Sequence, residues 1–416
     1  MRIHPPLQQF QHRLSKQQRL LAAVLVSASA SAVGCTDFDL EERIEDTRVL
    51  AVRNEPAEIM FSPLFLLPAD QRPPLPLPTV DVATDIYAYD PRGGRVAMTT
   101  QLCPEGTDSS CRLYDKDQDE NYARLTEPTK SEVTALLAPQ KAFVTVDEGA
   151  GAGRVGPATF NYSISPGVID FFQPKNAAGE NVPSIFAVLP RLAVEVENET
   201  QRDDGAEVFK ERAFKRLPLS MDLADSSLGP DFTNQLAQGL GVTLCDGPVP
   251  GEDEVAVEDF EGKAECLHPR GANVNPGLKG FRLESTTVTD ELTQGVLEGE
   301  PDLGLTSLLR GAPGGTIAIT PVWEPGAVER YQVISFDIDS SELVVLNRVE
   351  DLACTWYSTR GNLSGTLSSL QFNDERLGVV WQLPSDAVAG EQDTLVMVAL
   401  DQRGGTTVSE INVVYR

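Results

Sequence analysis

The chain has 416 residues and a formal net charge of −28, with 62 acidic side chains against 34 basic ones. This charge argues against nucleic acid and anionic lipid headgroups as partners, because an acidic surface repels both. With 41% hydrophobic residues the chain can bury a core, and its length favours two or three domains over a single one.

The first 34 residues have the organisation of a bacterial lipoprotein signal peptide. Four basic residues within 2–19 precede a short apolar run at 20–26, and small residues at 27–34 lead to Cys35. The apolar run is too short to span a bilayer, as is usual for a signal peptide. A cysteine directly after such a cleavage zone can receive a diacylglyceryl group. We therefore expect Cys35 to be lipidated and to become the mature N-terminus.

The expected location follows from this anchor. Two acyl chains hold a protein stably on a membrane, so we expect attachment to the outer membrane in the cell envelope, on its periplasmic or surface side. Two A-x-A sites, at 28–30 and 30–32, leave cleavage to a freely secreted chain open. Ala32 also stands where a leucine is usual in the lipidation motif.

An acidic tether at 35–47 is followed by a predicted N-terminal β-sandwich domain at 48–221. Alternating apolar residues at 79–89 and 95–103, on either side of an Asp-Pro-Arg-Gly-Gly turn, predict a β-hairpin. A second hairpin is predicted from 191–197 and 208–219. The proline-rich stretch at 63–78 is typical of an edge or loop excursion.

Residues 222–275 change character and predict a connecting segment, with a short helix from Pro230 to Gln238 and an acidic loop between two cysteines. Strand patterns return over 276–416 and predict a C-terminal sandwich. Its seven clearest strands are expected at 316–320, 331–336, 343–346, 352–357, 379–383, 394–400 and 408–415. The predicted fold class is all-β, with two immunoglobulin-like antiparallel β-sandwich domains and a loop-rich, partly helical connecting segment.

A turn of sequence Asp-Gln-Arg-Gly-Gly at 401–405 joins the last two predicted strands. It repeats the pattern of the Asp-Pro-Arg-Gly-Gly turn at 90–94. Two strand–turn–strand units of this kind predict that the two sandwich domains are related. Coincidence stays open, because Asp and Gly are ordinary turn residues.

Several of these motifs together resemble a known group of proteins. The run RVLAVRNEPAEI at 48–59, close behind a lipidation cysteine, is similar to the opening of predicted lipoproteins common in myxobacteria. A tryptophan strand followed by Thr-x-Gly (356–361), a Trp-x-x-Pro at 381–384 and the closing Asp-x-Arg-Gly-Gly resemble their last domain. The resemblance implies tandem immunoglobulin-like (PKD-like) sandwiches and an anchor. It implies no activity, and its motifs are structural.

Five cysteines remain after Cys35, in a compartment where disulfides form. Cys103 and Cys111 flank a short polar loop, and Cys245 and Cys266 flank a longer acidic loop. Proximity in sequence predicts these two bridges, although other pairings stay open. Cys354 would then be free, on the inward face of a strand, where a thiol packs as a small apolar group.

Three motifs resemble ligand-binding sites, but each fits a structural role better. The G-x-G-x-x-G pattern at 151–156 needs a helix after it to bind a dinucleotide, and a strand pattern follows instead, which predicts a glycine loop and no cofactor. Asp115, Asp117 and Asp119 resemble the start of a calcium loop, but Glu120 and Thr126 do not fit an EF-hand, so calcium is only a weak candidate partner. Cys245 and Cys266 could bind zinc with His268, but a disulfide beside a surface histidine fits the spacing better.

Catalysis is constrained by composition, since His268 is the only histidine after the signal. We expect a non-enzymatic lipoprotein, held on the membrane through Cys35, that binds or scaffolds an envelope protein or a glycan through its loops. The alternatives are a secreted or anchored carbohydrate-active hydrolase with a carboxylate pair, and a calcium-dependent adhesion module.

Overall fold

The computed structural model describes a defined part of the chain. The described residues are 44, 47–62, 64, 79–91, 93–104, 120–127, 129–146, 154–172, 190–199, 210–222, 230–251, 255–269, 271–285, 295–298, 307–337, 340, 342–364, 367–369 and 378–415. Within them the protein is all-β in class, as the sequence predicts, and is built from antiparallel sheets packed as sandwiches.

The N-terminal part holds the first nine strands and three short helices. The strands are β1 (Arg48–Glu55), β2 (Ile59–Phe61), β3 (Val80–Tyr89), β4 (Gly94–Cys103), β5 (Gln140–Val146), β6 (Arg154–Ile164), β7 (Arg191–Asn198), β8 (Lys210–Arg216) and β9 (Leu219–Met221). The helices are α1 (Glu120–Arg124), α2 (Thr129–Leu137) and α3 (Pro166–Phe172). One sheet has the order β1-β3-β6 and the other β5-β4-β7-β8, and β2 pairs in parallel with β9.

The first predicted hairpin is wrong, although both of its strands exist. β3 pairs with β1 and β6, whereas β4 pairs with β5 and β7, so the turn after Tyr89 carries the chain from one sheet to the facing one. Buried Ile86 and Met98 lie in one core from opposite sheets. The second predicted hairpin is confirmed, because β7 and β8 pair antiparallel.

The remaining elements follow in chain order. They are α4 (Pro230–Gly239), α5 (Val257–Phe260), β10 (Gly262–Ala264), β11 (Leu278–Ser285), β12 (Gly295–Glu298), β13 (Ser307–Gly311), β14 (Thr316–Trp323), β15 (Arg330–Asp337), β16 (Glu342–Val349), β17 (Ala353–Ser358), β18 (Asn362–Ser364), β19 (Leu367–Ser369), β20 (Val379–Gln382), β21 (Gln392–Leu400) and β22 (Thr406–Tyr415). The predicted helix from Pro230 and all seven predicted C-terminal strands are confirmed.

The C-terminal sandwich consists of two five-stranded sheets, β12-β11-β14-β20-β18 and β13-β22-β21-β17-β19. Its core contains Phe281, Trp356 and Trp381, which the two sheets bury from opposite sides. β21 and β22 form a true hairpin across the turn at 401–405. β22 lies between β13, with which it pairs in parallel, and β21.

Two of the seven predicted strands lie outside this sandwich. β15 and β16 form a separate sheet in the order β10-β16-β15, and Val345 of β16 belongs to the N-terminal core. From the segment expected to connect the domains, Val242 and Leu267 also join that core. The middle of the chain is thus packed against the first sandwich.

A third hydrophobic cluster lies where the two sandwiches meet. Leu50 and Tyr89 from the first sandwich pack with Tyr357, Val396 and Val398 from the second, and all five are buried. Burial of roughly this kind is worth about 1.5–3 kcal/mol for each large apolar side chain. The two sandwiches therefore share a continuous apolar junction.

Candidate functional site

A buried charged cluster borders this junction and is the most unusual chemical environment among the described residues. Its centre is Arg403, in the turn between β21 and β22, whose side chain is 9% exposed. Its Nη2 donates to Glu58 Oε2 at 2.8 Å, and its Nη1 donates to Glu329 Oε2 at 2.7 Å and to Glu350 Oε1 at 3.4 Å. The guanidinium also lies 4.9 Å from the ring centroid of Tyr331.

Asp401 and Asn273 extend the cluster. The Asn273 Nδ2 donates to both carboxylate oxygens of Asp401, at 3.2 and 3.0 Å, and its backbone N–H donates to Glu58 Oε2 at 2.8 Å. Asp401 Oδ1 also accepts the backbone N–H groups of Arg403 and Gly405, each at 2.8 Å. We call these six residues the Arg403 cluster: Glu58, Asn273, Glu329, Glu350, Asp401 and Arg403.

The local sequence explains why the turn presents these groups. Gly404 has φ +104°, a conformation that favours glycine, and a Cβ on Gly405 would lie 2.0 Å from Asp401 Oδ2. The two glycines therefore let the Asp401 carboxylate fold back onto its own turn. With the turn closed in this way, Arg403 extends away from it toward the three glutamates.

The cluster contains more acid than base, and burial acts strongly on its carboxyl groups. Burial, reinforced by repulsion from Asp401, raises the pKa of Glu350 to about 8. Burial also raises the pKa of Glu329, against the attraction of Arg403. On the neighbouring strand β8, burial lowers the pKa of Lys215 to about 8, with partial compensation from Asp401. Desolvation thus disfavours charge in both acids and base here.

The contacts of the cluster fit a structural joint better than a reaction centre. The carboxylates of Glu58, Glu329 and Glu350 all contact one guanidinium, so none is available to a substrate as a lone base. Arg403 Nε and Asn273 Oδ1 are buried without a hydrogen-bond partner.

A cavity beside the cluster also fits a structural joint better than a ligand-binding site. It encloses about 30 Å³ between the two sandwiches, lined by Leu50, Lys215, Tyr357 and Val398 among others. Cavities of this size hold water, whereas small-molecule pockets run to about 300–1,000 Å³. Lys215 Nζ donates to Thr406 Oγ1 at 2.6 Å nearby.

The cysteines follow the predicted scheme as far as they are described. Cys245 and Cys266 form a disulfide with a Cα–Cα distance of 5.4 Å, and Cys103 is disulfide-bonded. Cys354 is free and buried in the second core, where burial raises its pKa to about 12. Cys35 and Cys111 lie outside the described residues.

The disulfide also decides between two interpretations of His268. Cys245, Cys266 and His268 lie close enough together to hold a metal, but both sulfurs are used by the bridge. The His268 Nδ1 instead makes a hydrogen bond of 3.0 Å with Gly247 O. The predicted disulfide is therefore present, whereas the histidine beside it, which we expected at the surface, is half-buried.

Removing this bridge tests its contribution. Replacing both Cys245 and Cys266 with serine should lower the free energy of unfolding by about 3 kcal/mol, because a loop with a sequence separation of 21 gains freedom in the unfolded chain. Urea unfolding of variant and wild type measures the change. Limited proteolysis should show new cleavage inside 246–265, and an unchanged transition would contradict the prediction.

Two other sequence motifs reach the described residues only in part. The glycines of 151–153 lie outside them, but Arg154–Ile164 is a strand, so no helix begins where a dinucleotide would need one. Asp115, Asp117 and Asp119 lie outside the described residues, and Glu120 begins α1. The candidate calcium loop stays a prediction.

The Arg403 cluster itself is not predicted from the sequence as a charged site. The signals are present, since Glu58 lies in the 48–59 motif and Arg403 in the Asp-x-Arg-Gly-Gly motif. The two are 345 positions apart, however, and only the fold brings them together. Nothing in the spacing of Glu329 or Glu350 marks either as a partner.

The fold and the cluster define the class: an all-β protein of two sandwiches joined through an apolar seam and a buried charge cluster. Among the described residues no helix is both long and apolar enough to cross a membrane. No family model and no curated protein matches the chain.

Solved structures give only distant likenesses. One is a nucleoside hydrolase-related hypothetical protein from Saccharophagus degradans, associated with carbohydrate metabolism, with a TM-score of 0.18, 10% identity, and 33% of this chain and 26% of that chain covered. Another is red sea bream transglutaminase, with a TM-score of 0.19, 9% identity, and 90% and 32% covered. The chain thus spans a third or less of either protein's length, and TM-scores this low carry no argument about function.

Proposed function

We propose that this protein is a lipid-anchored component of the bacterial cell envelope with a non-catalytic binding or scaffolding role. The lipidation motif ending at Cys35 is the sequence basis for the anchor. Ile44 is the first residue after Cys35 that the structure describes: it is 2% exposed, and its N–H donates to Ser358 O at 3.1 Å. The chain therefore meets the body of the protein at the seam between the sandwiches.

The number of residues between Cys35 and Ile44 limits how far the two sandwiches can lie from a lipid on Cys35. Nine residue steps separate Cys35 from Ile44, and an extended chain covers at most about 3.6 Å per residue, or about 30 Å in all. A lipid on Cys35 would hold the seam within this distance of the membrane surface. Such a tether suits a protein that presents its far end to a partner.

A non-catalytic role agrees with the chemistry of the described residues. The carboxyl group with the most perturbed environment in the Arg403 cluster, Glu350, contacts a guanidinium and is buried. His268, the sole histidine after the signal, is occupied by a backbone carbonyl. Rigid sandwiches carrying surface loops are a common scaffold for recognition.

The anchor is tested by the mass and location of the mature protein expressed in a Gram-negative bacterium. We expect wild type to sediment with membranes and to have the mass of a chain that begins at Cys35 with diacylglyceryl and amide-linked acyl groups. A Cys35→Ser variant should lose both properties. A Cys354→Ala variant, which removes the free buried thiol, should keep both.

An unmodified wild-type chain beginning near residue 31 or 33 would overturn the anchor and indicate secretion. The non-catalytic role is tested separately with the membrane-released protein. Turnover of a polysaccharide panel, lost on replacement of one carboxylate, would overturn it.

A further inference from the structure

The Arg403 cluster contains an imbalance of charge that the fold must resolve. Four carboxyl groups, those of Glu58, Glu329, Glu350 and Asp401, lie around one guanidinium, and Lys215 on β8 is a further base that interacts with Asp401. An uncompensated buried carboxylate is costly, and such groups commonly take up a proton instead. The cluster is therefore expected to hold at least one proton that exposed carboxyl groups release.

The contacts single out Glu350 as the residue that holds it. Glu58 accepts short hydrogen bonds from Arg403 Nη2 and Asn273 N, both at 2.8 Å, and a third from Ser220 Oγ. Glu329 has an Arg403 contact of 2.7 Å and is 26% exposed. Glu350 is 2% exposed, and its Arg403 contact is 3.4 Å. It is thus the most deeply buried of the three and the least well paired with the cation.

Further charged groups face Glu350 from each element around it. Its Oε2 accepts the backbone N–H of Glu329 at 3.0 Å, which favours the ionised form only in part. Repulsion from Asp401, across the turn of the second sandwich, opposes ionisation. The groups that interact electrostatically with Glu350 are Glu329, Tyr331, Asp401 and Arg403. Glu58, Lys215 and Arg348 interact in turn with these groups, and Asp351, which follows Glu350 in sequence, interacts with Glu261.

We propose that this junction is a proton-controlled latch, in which Glu350 holds a proton at neutral pH and loses it in mildly alkaline medium, weakening the connection between the sandwiches. The raised pKa of Glu350, about 8 against an ordinary value of 4.5, supports this. The folded state then binds more protons than the unfolded state between these values. The contribution of Glu350 to the free energy of unfolding is therefore fully present below pH 4.5 and is lost as the pH rises through about 8.

The titration of Lys215 does not interfere with the measurement in this pH range. Its lowered pKa, also about 8, lies below its ordinary value of 10.5, so its charge differs between folded and unfolded states mainly above pH 8. There its effect has the opposite sign, because the unfolded state binds more protons. Measurements between about pH 5 and pH 8 thus report chiefly on the acids.

The test compares urea unfolding of the full mature chain across that range with unfolding of a Glu350→Gln variant. We expect the urea midpoint of the wild type to fall as pH rises. In the variant, the pH dependence of the free energy of unfolding should be smaller by the amount that corresponds to about one bound proton. Glu329, Asp351 and Asp393, whose pKa values burial also raises, leave a residual slope. Glu391→Gln is the control, because Glu391 pairs with Arg360 at the surface and has a lowered pKa.

An unchanged pH slope in Glu350→Gln would overturn the proposal. Should that variant fail to fold, infrared titration of the wild-type protein gives the answer, since a carboxyl group that stays protonated at pH 7 is expected and its absence overturns the latch. Hydrogen exchange, corrected for intrinsic rates, separates local from global effects. Peptides covering 271–276 and 401–406 should lose protection at about pH 8 before those covering 395–399, whereas simultaneous loss would overturn a local latch.

Discussion

Replacing Arg403 with methionine lowers the free energy of unfolding by roughly 3–5 kcal/mol, the expected loss when one member of a buried ion pair is removed. Methionine keeps much of the volume but leaves the carboxylates of Glu58 and Glu329 without their shared cation, and it also removes the Arg403 contact of Glu350. The stacking of the guanidinium on Tyr331 is lost as well. Urea unfolding at neutral pH measures the effect.

The control is Arg360→Met, at another arginine with several acidic partners. Arg360 contacts Asp386 at 3.2 Å and Glu391 at 2.7 Å and reaches the buried Asp393 only at 4.0 Å, and its own side chain is 36% exposed. Surface pairs of this kind are worth about 0–1 kcal/mol. Equal losses in the two variants would contradict the view that Arg403 holds the sandwiches together.

Replacing Gly361 with alanine lowers the free energy of unfolding by about 2–4 kcal/mol, combining a strained backbone with an overpacked site. Gly361 has φ +88°, and a Cβ there would lie 2.4 Å from Gln382 O and 2.8 Å from Trp381 Nε1. That indole nitrogen donates to Arg360 O at 2.9 Å, fixing a tryptophan that is fully buried in the second core. The substitution therefore disturbs both the turn and the core.

Gly390→Ala separates these two causes. Gly390 has nearly the same backbone angle, φ +90°, but open space where its Cβ would lie. Only the conformational cost of about 1–2 kcal/mol is expected there. Thermal or urea unfolding, with tryptophan fluorescence as the signal, compares the variants. If Gly361→Ala were no more destabilising than Gly390→Ala, contact with Trp381 would not explain the glycine.

Both predictions concern the motifs on which the proposed resemblance to myxobacterial lipoproteins depends. Glu58 lies in the first motif, Gly361 and Trp381 in the later ones, and Arg403 in the closing turn. In the structure they are turn, core and junction residues. Their positions support the interpretation that these motifs specify a fold.

The sequence by itself predicted the longer strands with clear alternation and, by proximity, the Cys245–Cys266 disulfide, whereas short strands such as β10, β18 and β19 were not predicted. Strand positions are encoded in alternation over a few neighbouring residues, and the two cysteines are close enough in the chain for proximity to select them. The buried free thiol of Cys354 follows from the same alternation.

The partners of the strands were decided only by the tertiary structure, as the two similar turns demonstrate. Asp401 accepts the N–H groups of its own turn and the side-chain amide of Asn273, and its turn closes a hairpin. Asp90 accepts from the side-chain amide of Asn198 at 2.8 Å, at the end of β7, but its turn crosses between sheets. The same residue pattern thus serves two connections, because the sheet that the next strand joins depends on pairing partners elsewhere in the chain.

The Arg403 cluster was decided in the same way. Glu58 and Arg403 meet across 345 positions of sequence, and Glu329, Glu350 and Asn273 come from three further segments. No local pattern encodes such a meeting, since it depends on how two finished sandwiches pack. Local hydrophobic periodicity therefore specified the strands of this protein. The packing of the two sandwiches brought the Arg403 cluster together and buried its carboxyl groups.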